Sequence, residues 1–456
     1  MCGTSQRSAS TGPGTGAAAG IRRVLDGLDE ARAGRELYGL VAELFPICRS
    51  ITGDGLRRSL RVLQRLIPLE LTEVPSGTPV FDWVVPREWN IRGAWVKDAS
   101  GRVVIDFGRS NLHVLNYSAP FRGRVDLEEL EQHLHSLPDQ PTRVPYRTSY
   151  YRESWGFCLS HDDRERLLPG EYEVFVDSTL EPGALTYAER VVEGASTDEV
   201  LVSCHSCHPS LANDNLSGMA LASVLARTLG ELRPRYTYRF IFAPGTIGAI
   251  TWLALNEARV QRIKHGLVVA CVGDAGPMTY KRSRRGDAEI DRAVEHVLAH
   301  CGQPFSVRDF TPYGYDERQY CSPGFDLPVG SLTRTPYGEY REYHTSGDDL
   351  SLVQPHALVD SLRRYLEVFE VLEANGTYLN LSPRCEPQLG KHGLYDPVGG
   401  PSKAAEHQMA LFWVLNQCDG RYTLLDVAAR AKLPFHAVRT AAGTLEAKGL
   451  LRRQAG

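Results

Sequence analysis

Three side chains that can bind a metal follow one apolar segment of the sequence. Residues 199–204 have the pattern of a buried β-strand, and His205, His208 and Asp214 come directly after it. Imidazole nitrogens and carboxylate oxygens bind zinc, and ligands gather at the carboxyl ends of strands in α/β sheets. The sequence therefore predicts a catalytic metal site at this strand end, with zinc as the metal.

Three further positions extend this prediction to a hydrolase-type zinc site. Asp274 follows a second apolar run, Glu317 belongs to an acidic cluster, and His344 lies in a polar string at 343–349. A catalytic zinc site keeps one position for water, whose pKa the metal lowers to about 7. The predicted metal ligands are His205, Asp214, Asp274 and His344.

His208 is a second candidate imidazole in the first cluster, and its role stays open. It is a ligand, a hydrogen-bonding partner of Asp214, or an ordinary loop histidine. Cys204 and Cys207 complete a C-x-x-C-H pattern with His208, which is also the pattern of c-type haem attachment. Because no signal peptide precedes it, and because no second C-x-x-C completes four ligands, haem and a structural zinc are the weaker interpretations.

The motifs at 205–218, 316–324 and 385–390 resemble a bacterial group of aminopeptidase-like proteins. More distantly, Asp214-x-x-Ser217-Gly218 and the string 343–345 are similar to motifs of the zinc aminopeptidase family, which uses co-catalytic metals. The likeness covers roughly residues 35 to 456. It implies an aminopeptidase-like core, a small β-rich insertion and a C-terminal winged helix.

The resemblance also implies roles for individual residues. Asp214 would bridge two metals, the first completed by His205 and Asp274 and the second by His344. Active aminopeptidases of this kind carry two successive glutamates, a general base and a metal ligand, where this chain has 245-Gly-Thr-246. The sequence thus leaves open whether one zinc or two are bound.

Glu317 is the predicted substitute for the missing base. A positioned general base contributes roughly 10²- to 10⁴-fold to the rate, so this departure bears directly on hydrolysis. The alternative interpretation of 316–318 is an exposed acidic turn paired with Arg318. For the substrate, we predict contacts from Arg341 to a carboxylate, from Tyr340 to an apolar group and from Glu339 to an amine.

The order of predicted elements indicates the architecture. Strands and helices alternate between 171 and 270, which predicts an α/β aminopeptidase-like sandwich with a mixed, largely parallel central sheet. The predicted units are a disordered tail (1–30), a metal-binding domain (31–70 and 156–375), a β-rich inserted domain (71–155), a linker (376–404) and a winged-helix-like domain (405–456).

Composition limits the classes of partner. A formal charge of -4 over 456 residues gives no basic excess for nucleic acid, and no apolar run approaches the roughly 20 residues that span a bilayer. We expect a cytoplasmic enzyme, with homo-oligomerisation left open. The predicted activity is zinc-dependent hydrolysis of a small aminoacyl or peptide-like substrate, in specialised-metabolite or glycan biosynthesis. The alternatives are a metal-retaining binding or regulatory protein and a single-metal enzyme of acyl transfer or cyclisation.

Overall fold

The computed structural model describes residues 13–394 and 402–454. Its helices are α1 (Pro13–Asp26), α2 (Glu30–Leu44), α3 (Asp54–Gln64), α4 (Leu127–Glu131), α5 (His161–Glu165), α6 (Gly218–Gly230), α7 (Ile247–Asn256), α8 (Glu289–Ala299), α9 (Glu317–Tyr320), α10 (Pro355–Ala374), α11 (Ser402–Gln417), α12 (Leu424–Ala431) and α13 (Phe435–Ala447). Short 3₁₀ turns cover Asn111–His113, Val260–Arg262 and Leu389–His392, and an irregular wide turn covers Ala212–Ser217.

Nineteen strands are described, and eight of them form the central sheet. The eight are β1 (Glu70–Pro75), β10 (Ala184–Val192), β11 (Glu199–His205), β12 (Thr237–Ala243), β13 (Ile263–Val269), β14 (Met278–Lys281), β15 (Phe305–Arg308) and β16 (Val329–Thr333). The others are β2 (Pro79–Val80), β3 (Trp83–Val84), β4 (Glu88–Lys97), β5 (Val103–Asp106), β6 (Phe121–Asp126), β7 (Leu134–His135), β8 (Phe157–Cys158), β9 (Glu171–Glu181), β17 (Thr377–Asn380), β18 (Asp419–Thr423) and β19 (Leu451–Arg453).

The central sheet has the order β1-β10-β12-β11-β13-β16-β14-β15. Strands β12, β11, β13 and β16 are parallel, whereas β1, β10 and β14 join antiparallel neighbours. The predicted α/β class with a mixed, largely parallel sheet is confirmed. Because parallel strands end at the same edge, the carboxyl ends of β11, β12 and β13 meet there.

Both faces of the sheet are covered, which explains why β11 and β12 are buried along their whole length. Val200, Val202 and Cys204 of β11 join a core with α2, α6 and α10. Leu201 points to the opposite face and joins a second core with α7 and the β-rich unit. Alternate residues of a strand therefore anchor different layers.

Along the chain, the β-rich unit is inserted between two strands that are neighbours in the central sheet. Strands β1 and β10 pair with each other, and the four-stranded sheet β5-β4-β9-β6 lies between them in the chain. Strand β9 belongs to this small sheet, although sequence analysis assigned its residues to the metal-binding domain. A long antiparallel pairing of β4 with β9 explains the difference, since it links residues that are far apart in sequence.

The C-terminal module combines α11, α12 and α13 with the sheet β18-β17-β19. Strand β17 pairs with β18 and β19, so the module takes up the start of the segment predicted as a linker. Residues 395–401 of that segment and residues 1–12 of the predicted tail lie outside the described residues. From Pro13 the predicted tail is helical instead, because α1 buries Ala18, Ile21 and Leu25 in the core. Among the described helices, none is long and apolar enough to cross a bilayer.

Candidate metal centre

The candidate metal centre forms where β11 leaves the sheet. His205 is the last residue of β11, His208 follows in the next turn, and Asp214 lies in the wide turn Ala212–Ser217 that leads into α6. The turn brings the chain back to the strand end, as the sequence predicts. His344 arrives from a distant loop after β16.

Three imidazoles surround one buried carboxylate. His205 Nε2 lies 2.7 Å from Asp214 Oδ1, and His344 Nε2 lies 3.0 Å from Asp214 Oδ2. His208 Nδ1 lies 3.6 Å from the same Oδ2 atom, beyond a normal hydrogen bond. Ligand atoms of His205, His208 and Asp214 all lie within 4.8 Å of one another. The structure therefore brings together three of the four predicted ligands, His205, Asp214 and His344, with the further candidate His208.

The charges of this cluster suit metal binding. Burial alone would raise the pKa of Asp214, but the neighbouring His208 and His205 imidazoles hold it well below its usual range. Burial also lowers the pKa of His208 to about 4, which leaves its ring neutral at neutral pH. Metal ligands must be an ionised carboxylate and neutral imidazoles, so Asp214 and His208 are in the required state. Burial lowers the pKa of His205, but its contact with Asp214 raises that pKa overall, so His205 must give up its proton when a metal binds.

The donor set fits a zinc ion. Within the described ranges, the buried His208 Nδ1 atom has no hydrogen-bond partner. An unpaired buried nitrogen costs about 1–3 kcal/mol unless something binds it. A metal shared by His208, His205 and Asp214 would satisfy this atom, and nitrogen and oxygen donors of this kind are those that zinc takes.

A second carboxylate holds the turn that carries Asp214. Asp348 accepts hydrogen bonds from the backbone N–H groups of Asn213 (2.6 Å) and Asp214 (3.0 Å), and from the Tyr340 hydroxyl (3.1 Å). Asn215 donates to the backbone carbonyls of His205 and Val269, so it ties the turn to β11 and β13. These contacts orient the ligands, as the outer shell of a metal site does.

Asp274 does not join the cluster. Its carboxylate accepts from Thr335 Oγ1 at 2.5 Å, from the Gly276 N–H at 2.7 Å and from Asn213 Nδ2 at 3.0 Å. Strand β13 ends at Val269, well before Asp274, so the carboxylate lies on a loop past the strand end. Asp274 stabilises that loop and accepts a hydrogen bond from Asn213, the residue before Asp214.

The turn 245-Gly-Thr-246 faces the cluster, and an acidic residue reaches it from elsewhere. A Cβ atom built on Gly245 would lie 3.6 Å from His205 Cβ, so this position adjoins the metal centre. The Thr246 N–H donates to Asp316 Oδ1 at 2.7 Å. Burial raises the pKa of Asp316, which the nearby His205 opposes.

Among the described residues, Glu317 makes its hydrogen bond outside the cluster. Its Oε1 atom accepts from Lys281 Nζ at 2.8 Å, at the edge of a separate cavity. Asp316 and Glu317 are both buried, which contradicts the interpretation of this segment as an exposed acidic turn. Arg318 instead donates to Thr246 Oγ1 at 3.3 Å.

The predicted substrate contacts separate in the structure. Tyr340 lies beside the cluster through its bond to Asp348 and lies 3.6 Å from the Cys271 thiol. Glu339 pairs with Arg308, and exposed Arg341 reaches the Asp139 carbonyl at 3.4 Å. Of the three, Tyr340 is linked to the cluster, through Asp348.

Sequence reasoning missed Tyr146, which comes from the inserted β-rich unit. Its buried ring meets the His208 and His344 rings edge-on, each at 5.1 Å between centroids. The Tyr146 N–H donates to the His344 carbonyl at 2.7 Å, and its hydroxyl lies 2.9 Å from that of Tyr150. No local spacing could reveal these contacts, because Tyr146 lies about 60 residues from His208 and about 200 residues from His344 in the chain.

The two cysteines beside the cluster are hydrogen-bond acceptors. Asn215 Nδ2 donates to Cys204 Sγ, and the Gly245 N–H donates to Cys207 Sγ, each at 3.3 Å. The group of metal-capable side chains found over the described ranges includes neither thiol. This geometry favours the imidazole and carboxylate site over the cysteine alternatives.

The chain matches a known protein family along most of its length. A family model described as "Domain of unknown function (DUF4910)" matches residues 38–375. The chain belongs to the DUF4910 family. A second model, a winged helix-turn-helix, matches residues 376–453 and confirms the predicted C-terminal module, with β17 inside it. The core of this DUF4910 protein thus ends where α10 gives way to β17.

A relative from Clostridium acetobutylicum is 50% identical over 424 residues, covering 93% of this chain and 98% of the relative. It is named as a candidate polysaccharide biosynthesis protein with an aminopeptidase-like domain. A crystal structure of a candidate peptidase from the same organism is 48% identical, with a TM-score of 0.91, covering 96% of this chain and all of that one.

More distant structures show the fold. A zinc aminopeptidase from Bacillus subtilis has a TM-score of 0.54 at 13% identity, covering 74% of this chain and 94% of that chain. A peptidase M28 precursor from Shewanella amazonensis has a TM-score of 0.54 at 15% identity, covering 78% and 97%. The predicted resemblance to aminopeptidase-like proteins is confirmed at the level of the fold.

Proposed function

We propose that this DUF4910 protein is a zinc-dependent hydrolase that cleaves an amide bond in a small aminoacyl or peptide-like molecule. The observation that carries the proposal is the convergence of His205, His208 and His344 on the buried Asp214. This cluster lies at the carboxyl edge of an aminopeptidase-like sheet, where α/β proteins bind their ligands. The name of the Clostridium acetobutylicum relative supports polysaccharide biosynthesis as the setting.

The geometry favours one zinc ion. Asp214 is the single carboxylate at the centre of the cluster. Thr335 binds the carboxylate of Asp274, and Lys281 binds the carboxylate of Glu317. A second ion would need further anionic ligands to balance its charge. We therefore assign the site one ion held by His205, His208 and Asp214, with His344 beside it.

Zinc bound at this site supplies an acidic water and a Lewis acid for the amide carbonyl. The residues of the chain have three tasks. Asp214 and the imidazoles fix the position of the reacting groups, and Tyr146 closes one side of the cluster against solvent. We assign proton acceptance to Asp316 in place of the predicted Glu317, because Asp316 reaches the turn beside His205 and Glu317 does not.

Metal content per chain tests the site. We expect about one equivalent of zinc in the wild type, and strong loss in His205→Ala, His208→Ala and Asp214→Ala. Asp274→Asn is the matched control and should retain its zinc, since this carboxylate binds a loop. Two equivalents would contradict the single-ion assignment. No metal after addition of zinc would refute the proposed function.

Turnover tests the reaction. On a panel of aminoacyl amides, Asp316→Asn should lower kcat about 10²- to 10⁴-fold while zinc content stays unchanged. A wild-type rate that Asp316→Asn leaves unchanged would remove Asp316 from the mechanism.

A second candidate function is favoured by the absence of an acidic side chain at 245-Gly-Thr-246. A single-metal enzyme of acyl transfer or cyclisation, or a metal-retaining binding protein, does not need a base there. Mass spectrometry of the products separates these cases. Free amine and acid indicate hydrolysis, a new amide indicates transfer or cyclisation, and unchanged substrate with tight binding indicates a binding protein.

For the winged helix we propose a docking role and not DNA recognition. Helix α13 is the second helix of the helix-turn-helix, which in such proteins enters the major groove. Its Arg439 pairs at 3.3 Å with Glu370 of α10, so one side of the helix is bound to the core. Within α13 the exposed side chains are His436, Thr440, Glu446 and Ala447, with no Lys or Arg. The exposed basic residues Lys432, Lys448 and Arg452 lie outside the helix that would enter the groove.

We place the protein in the cytoplasm. The nine cysteines within the described ranges are all unpaired, and six of them are buried. Free buried thiols are typical of a reducing compartment. We also propose that the protein self-associates into a homo-oligomer, which a measurement of its molecular mass in solution would test.

A further inference from the structure

A small cavity lies behind the metal centre, and we call it the side cavity. Its volume is about 170 Å³, small beside typical ligand pockets of roughly 300–1,000 Å³, so it admits one small group. Tyr315 separates the two sites. Its ring stacks on His205 at 5.3 Å between centroids, and it also lines the side cavity. A substrate held in the side cavity would therefore lie next to the metal centre.

Two neighbouring strands supply the floor of the side cavity. Thr279 and Lys281 of β14 lie opposite Thr333 and Ser331 of β16 in antiparallel register. Alternate residues of a strand share a face, so these four polar side chains point to the same side of the sheet. The cavity is consequently lined with hydroxyl groups at the edge of an otherwise apolar core.

Two buried polar atoms of the lining lack partners. Within the part of the chain that the structure describes, neither Glu317 Oε2 nor Ser331 Oγ has a hydrogen-bond partner. Glu317 is 0% exposed and Ser331 is 3% exposed, so bulk water does not reach them freely. Because nearly all buried polar groups are hydrogen-bonded, a bound group is expected to complete them.

The charges around the side cavity cancel in pairs. Lys281 Nζ donates to Glu317 Oε1 at 2.8 Å and to the Tyr313 carbonyl at 2.6 Å. Arg308 pairs with Glu339 at the rim, and Asp309 pairs with Arg282. A charged ligand would find no free counter-charge here, and it would lose its hydration on entry. A neutral group that both donates and accepts hydrogen bonds meets no such cost.

Aromatic rings complete the lining. Tyr315 and Tyr337 meet edge-to-face at 5.2 Å between centroids, and both line the side cavity. Their faces offer apolar contact to the C–H groups of a ring. A small ring with hydroxyl groups would use the aromatic faces, the free Glu317 oxygen and the Ser331 hydroxyl together.

We propose that the side cavity binds a neutral, hydroxyl-bearing ring the size of one monosaccharide unit, and that it selects the substrate of the metal centre. This inference rests on the proposed function, since it names the part of the substrate held beside the reacting amide. Glu317 thereby binds the ring through its free Oε2 atom, and Ser331 binds the same ring through its hydroxyl group.

Three hexose probes of different charge test the proposal on the full chain. D-glucose is neutral, D-glucosamine is positively charged at about pH 6, and D-glucuronate is negatively charged. Their dissociation constants can be measured by isothermal titration calorimetry, with saturation-transfer NMR for weak binding. We expect glucose to bind more tightly than both charged analogues. No binding of any probe, or tighter binding of a charged one, would overturn the proposal.

Ser331→Ala is the sharpest variant, because it removes a hydroxyl that makes no hydrogen bond within the described residues. It should fold normally and weaken glucose binding about three- to tenfold, the effect of one hydrogen bond. Thr251→Val is the matched control. Thr251 on α7 is also a buried hydroxyl without a partner in the described ranges, but it does not line the side cavity. Equal glucose affinity in both variants would refute the assigned site.

Failure of this inference can be distinguished from failure of the proposed function. Glucose binding should persist after metal removal and in His205→Ala, because His205 does not line the side cavity. Glucose binding without zinc or turnover would reject the hydrolase and keep the side cavity. Zinc-dependent turnover without glucose binding would do the reverse.

Discussion

Placing a glutamate at Gly245 should supply a base that takes the place of Asp316 when Asp316 is mutated. A Cβ atom at this position would lie 3.6 Å from both His205 Cβ and Cys207 Sγ, which are ordinary van der Waals contacts. The backbone at Gly245 is not left-handed, so a side chain is sterically allowed. We therefore expect Gly245→Glu to fold with a stability change of no more than about 1 kcal/mol.

The expected gain follows from the chemistry of a positioned base. A base of this kind contributes roughly 10²- to 10⁴-fold, or about 3–5 kcal/mol of activation free energy. The side chain at 245 would leave the backbone toward His205 and so reach the metal centre. Because Asp316 is the assigned base of the wild type, this gain is expected in the Asp316→Asn background. There the zinc-loaded double variant with Gly245→Glu should hydrolyse aminoacyl amides faster than Asp316→Asn alone by this factor.

The assay compares kcat/KM of Asp316→Asn alone and combined with Gly245→Glu or Gly245→Gln on chromogenic aminoacyl amides, with zinc content measured for each. Gly245→Gln has nearly the same size but cannot accept the proton, so its double variant should match Asp316→Asn alone. If the double variant with Gly245→Glu folds, binds zinc and shows no gain, a carboxylate at 245 cannot serve as the base. The reasoning that links this turn to the chemistry would then be refuted.

Three further outcomes are expected. Hydrogen bonding to Arg57 lowers the pKa of Glu88 from 4.5 to about 2, so this pair stabilises the fold above pH 4.5 and less as the pH falls toward 2. Glu88→Gln should thus lose about 1 kcal/mol at pH 7 in urea unfolding, after allowance for screening, and almost nothing near pH 2. Burial lowers the pKa of His265 from 6.5 to about 4. The unfolded chain therefore takes up this proton first, and the free energy of unfolding decreases as the pH falls from about 6.5 toward 4. His265→Gln should flatten the dependence of the urea midpoint on pH between about 6 and 4, and an unchanged slope would contradict this. Fluorescence anisotropy with duplex DNA should show no preference for any DNA sequence by the C-terminal module, because α13 exposes no Lys or Arg to base edges. The exposed Lys432, Lys448 and Arg452 beside it allow only weak, sequence-independent attraction, so tight sequence-specific binding would refute the docking role.

The sequence predicts the local part of the metal centre well, for a physical reason. His205, His208 and Asp214 lie between β11 and α6, so a short stretch of chain fixes their approach. The hydrophobic pattern locates the strand, and the strand end locates the ligands. The sequence predicts Asp274 at the end of a strand, but β13 ends at Val269, so its position depends on where the loop after β13 turns.

Contacts between distant segments could not be predicted in this way. Tyr146 reaches His208 and His344 only because the β-rich unit packs against the core. Asp316 and Glu317 are neighbours in sequence, yet their side chains go to different sites, one to Thr246 and the other to Lys281. Neither the composition nor the spacing of these residues distinguishes them.

The sequence by itself determined the α/β class, the winged-helix module and the identity of the residues at the end of β11, because these follow from short-range periodicity and from motifs. Only the tertiary structure decided which carboxylates reach the cluster and where the side cavity lies. Side-chain direction depends on how loops from four or more segments pack together. The packing energy that fixes those loops comes from contacts across the whole chain, which no local pattern records.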